Sequence, residues 1–258
     1  MILLKKEART GLPFFAGRNY SYRSEFLNLL LYLQQKRIVL SEKIKNDMET
    51  NWMESLEPLM KQYDKRKHPL DYKSRYQLIV MVILSAQDSD KHINELAPVI
   101  FEAYPSMNSL AKASAEDLHR YINTVRNFGN KSVWLVSLAQ LIGDDDKIPT
   151  NLAELTKLPG IGRKSANVII RESGNEAEGV IVDLHVVRVA PRIGIASGTQ
   201  PEKIEKQIMA IVPRERWNDI GMAISFLGRE VCRPTNPKCD ICVMNKVCHY
   251  HNGTGNMK

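Results

Sequence analysis

Two charged residues, Lys164 and Asp183, have sequence surroundings in which an amine and a carboxylate could do chemistry. Lys164 lies in the first turn of a predicted helix, where the helix dipole opposes a cation and partial burial disfavours the charged form. Both effects lower the pKa of the amine, which is how a lysine becomes a nucleophile near neutral pH. The alternative is a surface lysine that binds phosphate.

Asp183 follows the apolar run Val180-Ile-Val and stands at the start of a predicted helix. A carboxylate in that position is commonly an N-cap. Beside a nucleophilic amine it could also take up a proton and stabilise a sugar cation. The residues alone leave both interpretations open.

The four cysteines of the chain form one group with the spacing C-x6-C-x2-C-x5-C, at Cys232, Cys239, Cys242 and Cys248. A secreted disulfide scaffold would be shorter and would spread its cysteines along the chain. The clustering therefore indicates a metal site in a reducing compartment. Four thiolates can hold zinc or an iron–sulfur cluster, and the spacing alone does not decide between them.

A helix–hairpin–helix pattern is predicted at 155–170, where Pro-Gly-Ile-Gly joins two short helices. Gly160 and Gly162 permit positive φ and a close approach of a foreign backbone, and the unpaired N–H groups of the next turn suit a DNA phosphate. Ile161 would anchor the turn in the core. We expect Gly160, Ile161, Gly162 and Arg163 to bind DNA; the alternative is an ordinary turn between two helices.

The spacing of apolar residues is helical almost throughout, and the alternation typical of strands is nearly absent. The predicted fold is therefore all-α. Helices are expected at 24–37, 51–63 (disturbed by Pro58), 73–86, 90–103, 115–124, 130–142, 152–157, 164–172, 183–192, 201–212 and 216–230.

The net charge of +7 is concentrated at the two ends of the chain. Residues 1–70 carry a net +5, residues 71–227 carry −1 and residues 228–258 carry +3. Such ends could attract a polyanion, although many basic proteins bind no nucleic acid. No apolar run reaches the ~18 residues that span a bilayer, and the N-terminus does not resemble a secretory signal.

These motifs together resemble endonuclease III, of the helix–hairpin–helix glycosylase superfamily. The resemblance runs from about residue 70 to 250 and rests on L-S-A-Q-D-S-D, P-G-I-G-R-K-S-A-N-V, V-D-L-H-V-V-R-V and the cysteine loop. It implies that Lys164 is a Schiff-base nucleophile and Asp183 the catalytic aspartate. It also implies a [4Fe–4S] cluster on the four cysteines. Gln87 would enter the gap left by a flipped base, and Ser85 and Asp90 would line the pocket.

The chain departs from the family pattern at two positions. Thr156 stands where a pocket glutamate is frequent, and Asn127 where a leucine wedge is frequent. Phe128 is the alternative wedge, because an aromatic ring stacks on any base, but it could equally lie in the core. His185 and Arg188 are expected to be structural. The departures bear on the choice of lesion and leave the central chemistry untouched.

The resemblance implies a bifunctional enzyme that removes damaged bases, oxidised pyrimidines above all, and cuts the strand by β-elimination. The alternatives are a mismatch-directed thymine or purine glycosylase and a non-catalytic hairpin protein that binds DNA. We expect a monomer that acts on double-stranded DNA with damaged bases or abasic sites and does not bind membranes. In a bacterium it would be cytoplasmic, and organellar import is the less favoured alternative.

Two helical lobes with a DNA groove between them are expected. One is a bundle at 68–177. The other combines 50–67 with 178–250 and carries the cluster loop 232–248. Residues 1–49 would form an N-terminal extension and 251–258 a tail.

Overall fold

A computed structural model describes residues 28–37 and 50–254 of the chain. The chain divides into two compact units, Met1–Thr50 and Asn51–Lys258. In the first unit, residues 28–37 form a helix whose residues are all exposed, and the rest of the predicted helix at 24–37 lies outside the described residues. No helix in the described ranges is both long and apolar enough to cross a bilayer.

The second unit contains helices and no strand in its described part, which confirms the predicted all-α fold. Its α-helices are α1 (Trp52–Gln62), α2 (Arg75–Ser85), α3 (Asp90–Ala103), α4 (Met107–Ala111), α5 (Ala115–Ile122), α6 (Phe128–Ile142), α7 (Leu152–Leu155), α8 (Arg163–Glu172), α9 (Leu184–Ile193), α10 (Pro201–Ile211), α11 (Trp217–Glu230) and α12 (His249–Thr254). Short 3₁₀ turns lie at Asp145–Lys147, Arg214–Arg216 and Cys239–Ile241.

Most helix boundaries fall within a few residues of the predicted ones, and the differences have local causes. The helix α6 begins at Phe128 because Asn127 adopts a left-handed conformation with φ of 60° and turns the chain directly into it. The short α4 was not predicted, although Ser106 and Ser109 form a capping box at its start. Pro58 lies inside α1 without ending it, since buried residues on both sides hold the helix against the core.

The helix α2 passes through the centre of the hydrophobic core. All its residues from Leu78 to Leu84 are buried, and so is Tyr76. A helix that is apolar all round must be covered on every side, and α3, α6 and α8 pack against this one. Each fully buried leucine or isoleucine contributes about 1.5–3 kcal/mol to folding. This burial fixes the end of α2, where Ser85 and Gln87 enter the predicted site.

Two glycines of α11 let this helix pack closely against α9 and against the segment just before it. A Cβ on Gly221 would meet the backbone of Ile181, and one on Gly228 would lie 2.8 Å from Cβ of His185. Ser225 lies between these glycines on the same face of α11, because residues four and three apart are neighbours on a helix. The close packing therefore brings Ser225 up to the start of α9, where Asp183 stands. The predicted lobes at 68–177 and 178–250 both belong to this second unit, and their separation stays a prediction.

Candidate active site

The predicted hairpin is formed by α7, a glycine-containing turn and α8. Gly160 has φ of +77°, and a Cβ there would lie 3.1 Å from the Trp134 ring, so the turn requires glycine both for its backbone and for space. Ile161 is buried, as predicted. Gly162 is the N-cap of α8 and supplies no side-chain cap, so no side chain of the N-cap covers the first N–H groups of the helix. Such groups are suited to an anion.

Arg163 is held by a carboxylate that the sequence analysis did not identify. Its Nε donates to Oε2 of Glu205 at 2.6 Å, and Glu205 is buried. The other oxygen, Oε1, accepts from Asn167 Nδ2 and from the backbone N–H of Val180, each at 3.2 Å. The hydrogen bond to Glu205 raises the pKa of Arg163. The side chain of Arg163 nevertheless stays 43% exposed, so the predicted contact with DNA remains open to it.

Lys164 and Asp183 line one cleft, together with Ser85, Gln87, Asp90, His185 and Arg229. Lys164 is an exposed residue of the cleft by surface area, although many protein atoms lie near its amine. Desolvation therefore lowers its pKa, and the nearby Arg229 guanidinium lowers it further, while Asp183 and Asp90 oppose the shift. The direction is the one predicted, and burial is its main cause.

The Asp183 carboxylate has hydrogen-bond partners on both oxygens. Its Oδ1 accepts from the backbone N–H groups of His185 at 2.8 Å and Val186 at 2.9 Å, as the N-cap of α9. Its Oδ2 accepts from Ser225 Oγ at 2.6 Å, and Arg229 lies 3.9 Å away. The two interpretations of Asp183 are thus compatible, because one oxygen caps the helix while the residue also lines the cleft.

Arg229 links two of the carboxylates that line the cleft, those of Asp90 and Asp183. Its NH1 lies 2.9 Å from Asp90 Oδ2, and its NH2 lies 3.9 Å from Asp183 Oδ2. The sequence analysis gave neither Ser225 nor Arg229 a place in this site. Their spacing indicates only that they share one face of α11, and no signal in the sequence places that face against Asp183.

His68 is a further group near the cleft that the sequence analysis missed. Burial lowers its pKa to about 4, against the opposing influence of Glu172 and Asp90, and Lys164 and Arg229 lower it too. The backbone N–H of Leu70 donates to Nδ1 at 3.2 Å, so the ring proton sits on Nε2. The imidazole is therefore neutral at physiological pH.

The predicted gap-filling residues stand on two loops. Gln87 and Asn127 are both exposed and both have positive φ, 61° and 60°. This conformation is uncommon outside glycine and often occurs at functional sites. Phe128 is partly buried, with its ring edge against His119 at a centroid distance of 5.1 Å. It is thus at least in part a core residue.

The remaining predicted positions are placed as follows. Ser85 lines the cleft, and its Oγ donates to the carbonyl of Val82 at 3.2 Å. The hydroxyl of Thr156 donates to the carbonyl of Leu152 at 2.8 Å, so it is occupied by its own helix. Arg188 donates to the carbonyls of Gly228 at 2.9 Å and Cys232 at 3.2 Å, which ties α9 to the cysteine loop.

The four cysteines Cys232, Cys239, Cys242 and Cys248 line one pocket, and none forms a disulfide. The pocket also contains apolar side chains of α9 and α11. Burial raises the pKa of three of the thiols, those of Cys239, Cys242 and Cys248, and the neighbouring thiols raise it further. Among the described residues, no group of three or more His, Cys, Asp or Glu is arranged to hold a single metal ion. The pocket thus gathers four sulfur atoms, and His251 also lines it.

Comparisons with known proteins agree on one family. Residues 80–214 match the HhH-GPD superfamily of base excision DNA repair proteins. Endonuclease III of Synechocystis sp. is 34% identical over 192 residues, which are 74% of this chain and 88% of the relative. Endonuclease III of Rickettsia felis is 35% identical over 189 residues, with shares of 72% and 88%.

A solved structure of a trapped endonuclease III–DNA covalent intermediate has a similar fold. Its TM-score is 0.73 at 28% identity, and the match covers 81% of this chain and 99% of that one. A thermostable thymine-DNA glycosylase matches with a TM-score of 0.64 at 19% identity, over 77% of this chain and 95% of that one. At that identity the second likeness concerns the fold alone.

Proposed function

Because the chain belongs to the HhH-GPD superfamily of base excision DNA repair proteins, we propose that it is a DNA glycosylase with abasic-site lyase activity. The observation that carries this proposal is the shared cleft of Lys164 and Asp183, in which burial lowers the pKa of the amine. A hairpin protein that only binds DNA would need neither the shared cleft nor an amine of lowered pKa. Oxidised pyrimidines in double-stranded DNA are the proposed substrates.

The proposed reaction begins with a base flipped out of the duplex, since a stacked base is out of reach. The neutral amine of Lys164 bonds to the anomeric carbon of the sugar while the bond to the base breaks. The base leaves with the bonding electrons and takes up one proton, which balances the proton that the lysine nitrogen releases when it bonds to the sugar. The Asp183 carboxylate offsets the positive charge that develops on the sugar, an electrostatic role that its fixed hydrogen bonds favour.

Strand cutting follows from the covalent bond to Lys164. Once the sugar ring opens, the nitrogen forms an iminium, which makes the neighbouring C2′ proton acidic. Loss of that proton expels the 3′ phosphate by β-elimination, and water then releases the amine. The hairpin would hold the DNA by its phosphates, so that binding does not depend on sequence.

The cysteine pocket is the proposed site of a [4Fe–4S] cluster. Four of its side chains offer sulfur, which suits iron–sulfur clusters, and Ile193, Leu227 and Val231 form an apolar part of its wall. Cys232, Cys239, Cys242 and Cys248 would hold the cluster, and its contribution there would be to stabilise the loop that joins α11 to α12.

Covalent trapping tests the proposed function. Borohydride should reduce the iminium and leave this protein attached to abasic DNA. We expect Lys164→Ala to lose trapping and strand cutting while it still binds the DNA. Lys157→Ala is the matched control, because Lys157 is an exposed lysine just before the same turn. Undiminished trapping by the Lys164 variant would remove this residue from its proposed role.

A further inference from the structure

Two loops at the cleft each carry a non-glycine residue in the left-handed conformation. Gln87 (φ 61°) follows α2, and Asn127 (φ 60°) precedes α6. Such a conformation is unfavourable for a non-glycine residue, so the surrounding structure must support it. Two charged residues, Lys131 and Asp88, make side-chain contacts with these loops.

Lys131 reaches from α6 to the end of α2. Its side chain is buried, and Nζ donates to the carbonyls of Leu84 at 2.7 Å and Ala86 at 2.6 Å. These are carbonyls of the last turn and C-cap of α2, where a cation is favourable to the helix dipole. The loop that presents Gln87 is therefore attached to the helix that begins after Asn127.

Asp88, in the loop after α2, forms a hydrogen bond with the segment before α6. Its Oδ1 accepts from the backbone N–H of Ser89 and from His92 Nδ1, each at 2.8 Å. Its Oδ2 accepts from the backbone N–H of Arg126 at 2.9 Å. The other nitrogen of His92 lies 3.0 Å from Thr124 Oγ1, which adds a second link to the segment before Asn127.

The two left-handed residues are each one position away from the Asp88 connection. Asp88 follows Gln87 directly, and Arg126 directly precedes Asn127. Lys131 donates its backbone N–H to the carbonyl of Asn127 at 3.1 Å, so its side chain and its backbone join the two loops. The negative charge of Asp88 also raises the pKa of Lys131 against the effect of burial.

We propose that Asp88 and Lys131 are positioning residues that hold the Gln87 and Asn127 loops as one rigid unit, which enters the duplex from both sides of a flipped base. This inference rests on the proposed function. Flipping a base leaves a gap whose neighbours lose stacking, which is unfavourable. Loops whose backbone is already held in one conformation lose less entropy when they insert, so the two loops lower this cost together.

Duplex and single-stranded substrates should respond differently when the two loops are loosened. A duplex must be opened and its gap filled, whereas single-stranded abasic DNA has no partner base and no gap. Loosening the two loops should therefore slow reaction on the duplex and leave cutting of the single strand nearly unchanged. A general loss of folding would reduce both.

Asp88→Asn and Lys131→Met test this difference. In Asp88→Asn, an amide donor replaces one of the two accepting oxygens, so it must face either Arg126 N–H or the donors of Ser89 and His92. We expect the ratio of duplex to single-strand rates to fall at least about tenfold in each variant. The double variant should be no worse than the worse single one, because both residues serve the same unit. Fluorescence of 2-aminopurine opposite the lesion should report reduced insertion.

Asp117→Asn is the matched control. The Asp117 carboxylate also accepts from a backbone N–H, that of Ser114, but in the capping box of α5, away from the two loops. Its rate ratio should not change. Equal losses on both substrates, or additive losses in the double variant, would overturn the proposal. If Lys131→Met does not fold, the partly exposed Asp88 position decides the matter alone. Failure of the unaltered protein to cut abasic DNA in either form, duplex or single-stranded, would instead refute the proposed function.

Discussion

The cleft and the cysteine pocket, which lie in the same helical unit, differ in how their ionisable groups are stabilised. In the cleft, charges of both signs lie close together, and the Asp183 carboxylate accepts from Ser225 Oγ with the Arg229 guanidinium 3.9 Å away. In the pocket, two of the four thiols are buried and two are partly buried, and the raised pKa values of Cys239, Cys242 and Cys248 disfavour their thiolate forms. Arg192 donates to Cys232 Sγ at 3.5 Å, and Lys238 also lines the pocket.

This difference indicates which of the two sites needs only the side chains of the polypeptide and which needs a metal centre. The cleft needs only its own side chains to hold an amine of lowered pKa beside a fixed carboxylate. The pocket becomes favourable when a metal centre draws the protons from its thiols, because metal ligation stabilises thiolates. Removal of a charge should therefore reduce activity in the cleft and reduce folding in the pocket.

The largest effect is expected from Asp183→Asn. The amide oxygen can still accept from the N–H groups of His185 and Val186, so α9 keeps its cap, but the negative charge is lost. Single-turnover base release should slow by at least ~100-fold. Asp144→Asn is the control, since Asp144 caps a 3₁₀ turn through the same kind of contact outside the cleft. A normal rate in the Asp183 variant would show that its cap is its whole function.

The cysteine pocket should respond in folding. We expect Cys239→Ser to reduce the soluble yield several-fold, because metal binding contributes directly to folding of the loop. The purified unaltered protein should be yellow-brown and hold about four irons per chain, as a [4Fe–4S] cluster requires. Elemental analysis of anaerobically prepared protein measures this. Stoichiometric zinc would replace the cluster assignment with a zinc site.

The pH profile tests the electrostatics of the cleft. Lys164 must be neutral to attack, so the rate should rise with pH through its lowered pKa. Arg229 contributes to this lowering, and Arg229→Met should therefore raise the pKa of Lys164 and move the rising limb to higher pH. Arg229→Lys, which keeps a positive charge, should restore part of the shift. Rate profiles of borohydride trapping measure it, and an unmoved limb would contradict the assigned influence of Arg229.

Ser225→Ala should have the smallest effect of the four. The fully buried hydroxyl donates to Asp183 Oδ2, and a hydrogen bond to a charged group contributes about 1.5–3 kcal/mol. Only part of this free energy affects the rate, because the backbone N–H groups of His185 and Val186 still hold Asp183 Oδ1. We expect base release about fivefold slower and a melting temperature lowered by several degrees, because the variant also loses the contribution of this hydrogen bond to folding. An unchanged rate would mean that the cap alone positions Asp183.

The sequence by itself determined the elements and the reacting groups. Helical periodicity, together with N-cap residues such as Ser114 and Asn151, predicted most helices, because such signals lie within a few consecutive residues. The Pro-Gly-Ile-Gly turn before Lys164 was equally local. Exceptions such as α4 were short, and the start of α6 depended on the left-handed Asn127.

The tertiary structure alone decided which groups surround the reacting ones. Ser225 meets Asp183 because glycines on α11 let two helices approach, and Glu205 is buried against Arg163 from a helix far along the chain. The contacts of Lys131 with Leu84 and Ala86 likewise join segments more than 40 residues apart. No spacing in the sequence records such pairs, because helix packing sets these distances.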